Sequence, residues 1–271
     1  MIDVEGIRSA AAGIVGTLVD EHGDWKIKGF VDVDKNVYTL TADTKVLSKA
    51  LELVILPGLL SYFRKVGITV ELADYQNQYP DITLVAGSSR LALDIKTTYV
   101  LANNPRRANG FTLGAFTGYF RNRRSLKNVK YSYGSYGKHL VLGLIYERNT
   151  TTELPKVFEM KRLKEILSAI KNIRCFLHEK WRVASDKPGS GNTKNIGSAK
   201  KVEDLIEGKS VFTYLGPRAG KRIFNDYWRN YLTKDMARAA ELSGPLFTDL
   251  MGYLELRGYS GLVRKLLRTV G

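Results

Sequence analysis

The chain of 271 residues, 44% hydrophobic and 25% charged, is long enough to bury a substantial core as one large domain. Its single cysteine, Cys175, excludes an intramolecular disulfide, and no apolar run reads as a membrane span. A formal net charge of +15 favours a polyanionic partner, and Asp3 and Glu5 stand where an export signal would be basic, so a cytoplasmic location is expected.

Ile7 to Val19 carries an apolar helical pattern with small residues at Ala10, Ala11 and Ala12. Trp25 to Tyr38 alternates enough for one or two strands, turning at Asp34-Lys35-Asn36. Thr41 or Asp43 then caps a helix from Lys45 towards Lys65, interrupted near Pro57-Gly58. Glu52 is the lone acid between Val46 and Leu60, an exposed helix position on this reading. After a short strand from Ile68 to Ala73 comes Asp74-Tyr75-Gln76-Asn77-Gln78, whose amides suit base edges or sugars in a DNA groove.

Tyr79 to Tyr99 reads as a hairpin, with strands Ile82–Val85 and Leu91–Ile95 joined by the turn Ala86-Gly87-Ser88-Ser89. Asp81 precedes the first strand. Asp94 and Lys96 close the second and share a face, because strand neighbours two apart do so. Two carboxylates brought together across a hairpin can hold Mg²⁺, and a lysine beside them can stabilise charge on a phosphoryl oxygen. This is the PD…DxK pattern of metal-dependent nucleases. A turn aspartate and a solvated strand end produce the same letters, so the neighbouring segments decide its meaning.

No acid occurs between Asp94 and Glu147, whereas Lys96, Arg106, Arg107, Arg121, Arg123, Arg124, Lys127, Lys130 and Lys138 all do. A surface built from that segment attracts a polyanion and releases its counterions. Within it, Phe111 to Thr117 and Arg121 to Arg124 mix hydroxyls, a glycine and guanidinium groups suited to phosphates. His139 to Tyr146 and Ile173 to Val183 read as buried strands, and Glu159 to Ile170 as an amphipathic helix. Ser185 to Ser198 has either a linker or a reading loop in its Gly, Ser and Asn content, and Asn192 can bind adenine bidentately. Helices are expected over Ala199 to Glu207, Lys221 to Tyr231, and twice between Leu246 and the C-terminus.

Taken in order, ADTKVLSKALEL (42–53), QNQYPDITL (76–84), LALDIKTTY (91–99), FTLGAFTGYFRN (111–122), GSGNTKNIGS (189–198) and DYWRNY (226–231) closely resemble the EcoRV-type restriction endonucleases of the PD-(D/E)XK superfamily. The resemblance spans roughly the first 230 residues. It implies an α/β fold with a mixed, twisted central sheet flanked by helices, in a U-shaped homodimer around duplex DNA. The chain would be a single endonuclease domain over 1–271, with a catalytic core at about 40–150 and a recognition and helical part at about 170–271.

By the same resemblance Asp81 and Asp94 are Mg²⁺ ligands with the Ile95 carbonyl nearby, Lys96 is the catalytic lysine, and Glu52 becomes an auxiliary metal-site acid. Gly189, Ser190, Gly191, Asn192 and Thr193 match the major-groove reading loop, with Lys194 in place of a threonine at its end. Gln76 and Asn77 match the minor-groove loop, flanked here by Tyr75 and Gln78 in place of Gln and His. Thr44, Lys45, Thr98 and the 111–122 segment, including Thr112 and Arg121, match backbone-contacting positions; Arg123 joins them from the acid-free segment, and Gly118 replaces a serine there. The implied activity is Mg²⁺-dependent cleavage of GATATC at its centre to blunt ends, with a companion methyltransferase protecting the host. Two rivals are a structure-specific repair nuclease of the same superfamily and a non-catalytic basic protein that binds nucleic acid.

Overall fold

A computed structural model describes residues 2–151, 154–189 and 194–270. Asp3 caps α1 (Val4–Thr17) by accepting from the Glu5 amide at 3.0 Å, and Ile7, Ala11 and Val15 recur every fourth residue as its buried face. A hairpin follows, β1 (Gly29–Val31) and β2 (Asn36–Thr39), closed by Asp32 Oδ1 accepting from the Asp34 and Asn36 amides.

Asp43 is the cap of α2 (Thr44–Lys65), accepting from the Lys45 and Val46 amides at 2.9 and 3.0 Å. The expected interruption does not occur: the helix runs through Pro57 unbroken. A proline removes one bond to the carbonyl four residues back, here Leu53, which is 55% exposed and can be hydrated. At 22 residues, with a mean hydropathy of 1.6 over 18 of them, α2 is also long and apolar enough to cross a membrane, contrary to the reading of the sequence. Its Leu47, Leu51, Ile55, Leu59 and Phe63 are instead fully buried against α1 and the central sheet.

That sheet opens with β3 (Thr69–Leu72), β4 (Ile82–Ala86) and β5 (Ser89–Leu101), an antiparallel meander. The turn between β4 and β5 is the pair Gly87-Ser88, with Gly87 at φ +58°, where a side chain would be strained. β6 (Asn104–Ala108) folds back on the end of β5, and β7 (Thr112–Ala115) leaves for another sheet. β8 (Lys138–Arg148) then pairs with β5 in parallel, which makes the sheet mixed. β9 (Val157–Glu159) adds a third strand to the β1–β2 hairpin.

The helix expected over Glu159 to Ile170 is absent; a short 3₁₀ segment covers Met160–Glu165. Ser168 donates to the Trp25 carbonyl, and the Asn149 amide donates to the Ala169 carbonyl at 2.8 Å, which takes this backbone out of helical register. β10 (Ile170–Glu179) completes the sheet order β10-β8-β5-β4-β3, and it ends four residues before the expected Val183. β11 (Ala184–Pro188) and β12 (Asn195–Ser198) pair with each other, and β12 pairs with β7.

Helices close the chain: α3 (Val202–Glu207), α4 (Pro217–Asn230), α5 (Lys234–Ala239), α6 (Leu250–Leu256) and α7 (Ser260–Val270). The short α5 carries too few periodic residues to be anticipated. The central sheet separates two cores, one beneath α1 and α2 and one beneath α4, α6 and the β7-β12-β11 sheet. Along β5, Leu91, Leu93 and Ile95 face the α2 side, so Ala92, Asp94 and Lys96 face the other. Lys96, Gly143 and Phe176 lie side by side across β5, β8 and β10, and a Cβ on Gly143 would stand 2.0 Å from the Phe176 ring.

Candidate active site

The β4–β5 hairpin brings Asp81, Asp94 and Lys96 together. The Ile95 amide donates to Asp81 Oδ2 at 2.7 Å, fixing that carboxylate against the neighbouring strand. Lys96 Nζ lies 2.7 Å from Asp94 Oδ2 and 4.0 Å from Asp81 Oδ2. Asp94 is 4% exposed, so its charge is tolerated only because it is paired.

Burial above all, and then the Asp94 charge, push the Asp81 carboxyl up to about 7. Burial would raise Asp94 as well, but the Lys96 and Lys180 charges outweigh it and hold that carboxyl below its ordinary value. Burial also opposes the Lys96 ammonium, and the two aspartates more than offset it. The environments thus push two adjacent carboxyls apart: one stays ionised, and the other titrates near neutrality.

Lys180 was not anticipated. It follows β10, is 2% exposed, and sets its ammonium 4.2 Å from the centre of the Tyr79 ring. Burial pulls its ammonium down to about 7. Tyr79 hydrogen-bonds His139 Nδ1 at 2.8 Å, and the His139 ring stacks on Tyr133 at 3.7 Å. The signal available was a lysine between the apolar strand and Trp181, and a histidine opening the apolar run of β8.

The triad lines a groove of about 1090 Å³ together with Glu52, Gln76, Asn77, Thr112 and Asn195. Its donors are hard oxygens of opposed charge to a divalent cation, so Asp81 and Asp94 fit Mg²⁺. Glu52 faces the same groove but is paired with Lys49 at 2.8 Å along α2. Among the described residues, no three acidic, histidine or cysteine side chains converge, so Glu52 does not complete a ligand cluster.

The Gln76-Asn77 loop is braced by Gln78, 8% exposed, whose Oε1 accepts from the Asp74 amide at 2.7 Å. Beside Asn195, the Phe116 amide donates to the Lys194 carbonyl and the Gly189 amide to the Asn195 carbonyl, both at 3.0 Å. Gly189 has no room for a side chain, since a Cβ would meet Thr112 Cγ2 at 2.6 Å. Ser190, Gly191, Asn192 and Thr193 lie outside the described residues. Thr44 and Lys45 form the first turn of α2, with Lys45 exposed.

Three residues matched to backbone-contacting positions hold internal partners. Thr98 is 4% exposed, and its hydroxyl bridges the Gly110 amide and carbonyl at 3.1 and 3.2 Å. Arg121 donates to the Tyr231 carbonyl, and Arg123 donates to Asn225 Oδ1 at 2.6 Å. Both arginines clamp the 118–124 segment to α4, a use that sequence spacing does not distinguish from phosphate contact.

Two carboxylates and a lysine meet in a groove on adjacent strands of a mixed sheet, and comparison with known proteins gives the class: a restriction endonuclease. The chain belongs to the EcoRV restriction endonuclease family, whose description, Restriction endonuclease EcoRV, matches residues 21–258. It is 35% identical over 250 residues to the type II restriction enzyme EcoRV of Escherichia coli, across 90% of this chain and 96% of that one. Among solved structures, the NlaIV restriction endonuclease is similar with a TM-score of 0.39 and 13% identity, across 84% of this chain and 88% of that one. The protein is therefore a type II restriction endonuclease, a site-specific deoxyribonuclease.

Proposed function

We propose that this enzyme hydrolyses both strands of duplex DNA at GATATC, at the centre and to blunt ends, with Mg²⁺ as cofactor. The convergence of Asp81, Asp94 and Lys96 in one groove carries the reading. Asp81 and Asp94 would hold the ion, and Glu52, which lines the same groove paired with Lys49, would serve as an auxiliary acid outside that ligand pair. Bound there, Mg²⁺ supplies Lewis-acid polarisation of the phosphate and a more acidic attacking water. Lys96 stabilises the negative charge that builds on the phosphoryl oxygens during in-line attack. Gln76 and Asn77 approach from one wall, and the Gly189 to Lys194 loop reads the other groove of the DNA. Its base-reading residues are those of the EcoRV type, which supports the target, and the central TA step is easily kinked. The catalytic part is the 40–150 region and the reading part the 170–271 region.

Digesting a sequenced plasmid with Mg²⁺ and sequencing the ends by run-off tests the whole reading. Breaks at GATATC centres are expected. A defined ladder at another palindrome removes the target, and random nicking or flap cutting favours the repair-nuclease reading.

A palindrome calls for a two-fold protein, and we place the second copy on the β1-β2-β9 sheet. Phe30, Tyr38 and Val157 are consecutive partners across its strands and so share a face. They are 57%, 47% and 59% exposed, an apolar face that none of the described residues covers. The Phe30→Asp, Tyr38→Asp variant is expected to sediment as a folded monomer that nicks single strands. A variant that remains dimeric would remove this face as the interface. A companion methyltransferase would act separately on the same sites in the host.

A further inference from the structure

The outer face of α4 carries a second basic site, away from the catalytic groove. Ile223, Phe224, Tyr227 and Trp228 bury one side of this helix. Arg222, Asn225, Asp226 and Arg229 form the opposite stripe, at the spacing of one helical face. Arg123 reaches the stripe from the 118–124 segment, and together they line a pocket of about 440 Å³.

Arg123 is anchored before any ligand arrives. Its Nη2 donates to Asn225 Oδ1 at 2.6 Å, and its guanidinium stands 5.4 and 5.2 Å from the Phe120 and Tyr133 rings. Its Nε is buried without a hydrogen-bond partner among the described residues. Burial, and then the like charge of Arg229, depress its pKa. Arg222 is exposed and stands 5.6 Å from the Tyr259 ring. Among the described residues, Asp226 is the one acid lining the pocket, and it already accepts from the Tyr253 hydroxyl and from Arg257 at 3.2 Å. Among the described residues, Arg123, Arg222 and Arg229 make no ion pair with an acid. Three guanidinium groups crowd one already engaged carboxylate, and an anion would relieve the crowding.

We infer that this pocket binds phosphodiester groups of duplex DNA beyond the cut sequence, an inference that rests on the DNA-cleaving reading of the groove. Tyr119 and Asn128 line the catalytic groove, and Arg123 lies between them in the chain. The connecting segment also carries the exposed Arg124 and Lys127, so the chain that joins groove and pocket is basic. Arg222 and Arg229 are two turns apart, about 10 Å along the axis, over which a duplex presents several phosphates.

The test compares Arg222→Ala, Arg229→Ala protein with wild type on two duplexes, with Ca²⁺ in place of Mg²⁺. One duplex ends just outside the palindrome, and the other extends a further helical turn on each side. Affinity for the long duplex is expected to fall about tenfold or more, with a salt slope about two units shallower per protomer. Affinity for the short duplex and its cleavage in Mg²⁺ should be unchanged. Equal loss on both duplexes, or no loss on the long one, overturns the assignment. Thermal stabilisation of wild type but not variant by inorganic phosphate, with long-duplex affinity intact, overturns it in favour of a free anion. Selective loss of binding to a polyglutamate peptide overturns it in favour of an acidic protein segment. If wild type fails to cleave the short duplex, the reading of the groove fails first, which keeps the two failures apart.

Discussion

Asp94→Asn is expected to leave a folded protein whose single-turnover cleavage is slower by about 10³-fold or more. Asparagine keeps the shape of the buried side chain but removes the charge that Lys96 meets at 2.7 Å. It also strands the Lys96 and Lys180 ammonium groups beside a neutral amide. Lys96→Met should lose rate on a similar scale for a different reason, since both carboxylates remain while the cation facing the phosphoryl group is gone. Because that cation acts on charge present only in the transition state, the loss should appear in kcat with KM little changed. Single-turnover kinetics on a short duplex separates the steps. An Asp94→Asn rate within tenfold of wild type would remove Asp94 from the chemistry, and a Lys96→Met defect confined to KM would reduce that lysine to docking.

Asp81→Asn should do two opposite things: end cleavage and stabilise the metal-free protein at mildly alkaline pH. The folded pKa of about 7 lies above the ordinary 3.8, so folding penalises the ionised form. The penalty is absent below about pH 4, grows as pH rises, and is complete above about pH 7. The interval between 3.8 and about 7 sets a ceiling of about 4 kcal/mol. Solvent around a side chain 35% exposed reduces this to about 1–2 kcal/mol. The amide can still accept from the Ile95 amide, so the strand contact survives. Melting in chelator across pH is the measurement. The variant's Tm should exceed wild type above neutrality and converge with it in acid; a variant that melts below wild type at alkaline pH contradicts the assignment.

What could be read in the residues was local. The Gly87-Ser88 turn, the apolar runs on either side of it, and Asp94 two residues before Lys96 foretell the hairpin and the shared face, because strand periodicity is set by the backbone alone. The direction of Thr98 was not readable, since its hydroxyl is taken by Gly110, twelve residues away across a fold-back of β5 and β6. Arg121 and Arg123 look alike among the basic residues, and only the arrival of α4, some hundred residues later, gives Arg121 the Tyr231 carbonyl and Arg123 the Asn225 amide as partners. The helix expected at 159–170 failed for the same reason: Trp25 and Asn149 supply the backbone partners that a helix would have supplied from within. Pro57 misled in the other direction, because hydration of an exposed turn depends on which face of α2 meets the core.

Gly143 gives the active site a neighbour that performs no chemistry. With no side chain of its own, it lets the Phe176 ring lie across β8 beside the row that carries Lys96. The flank of the row that carries the lysine is therefore filled by a residue borrowed from two strands off. Tolerance to substitution will not track distance from the cut alone: a methyl group at 143, which touches no DNA-facing side chain, displaces the ring beside the row that carries Lys96. The fragile perimeter of this site is drawn by steric succession along a row of the sheet.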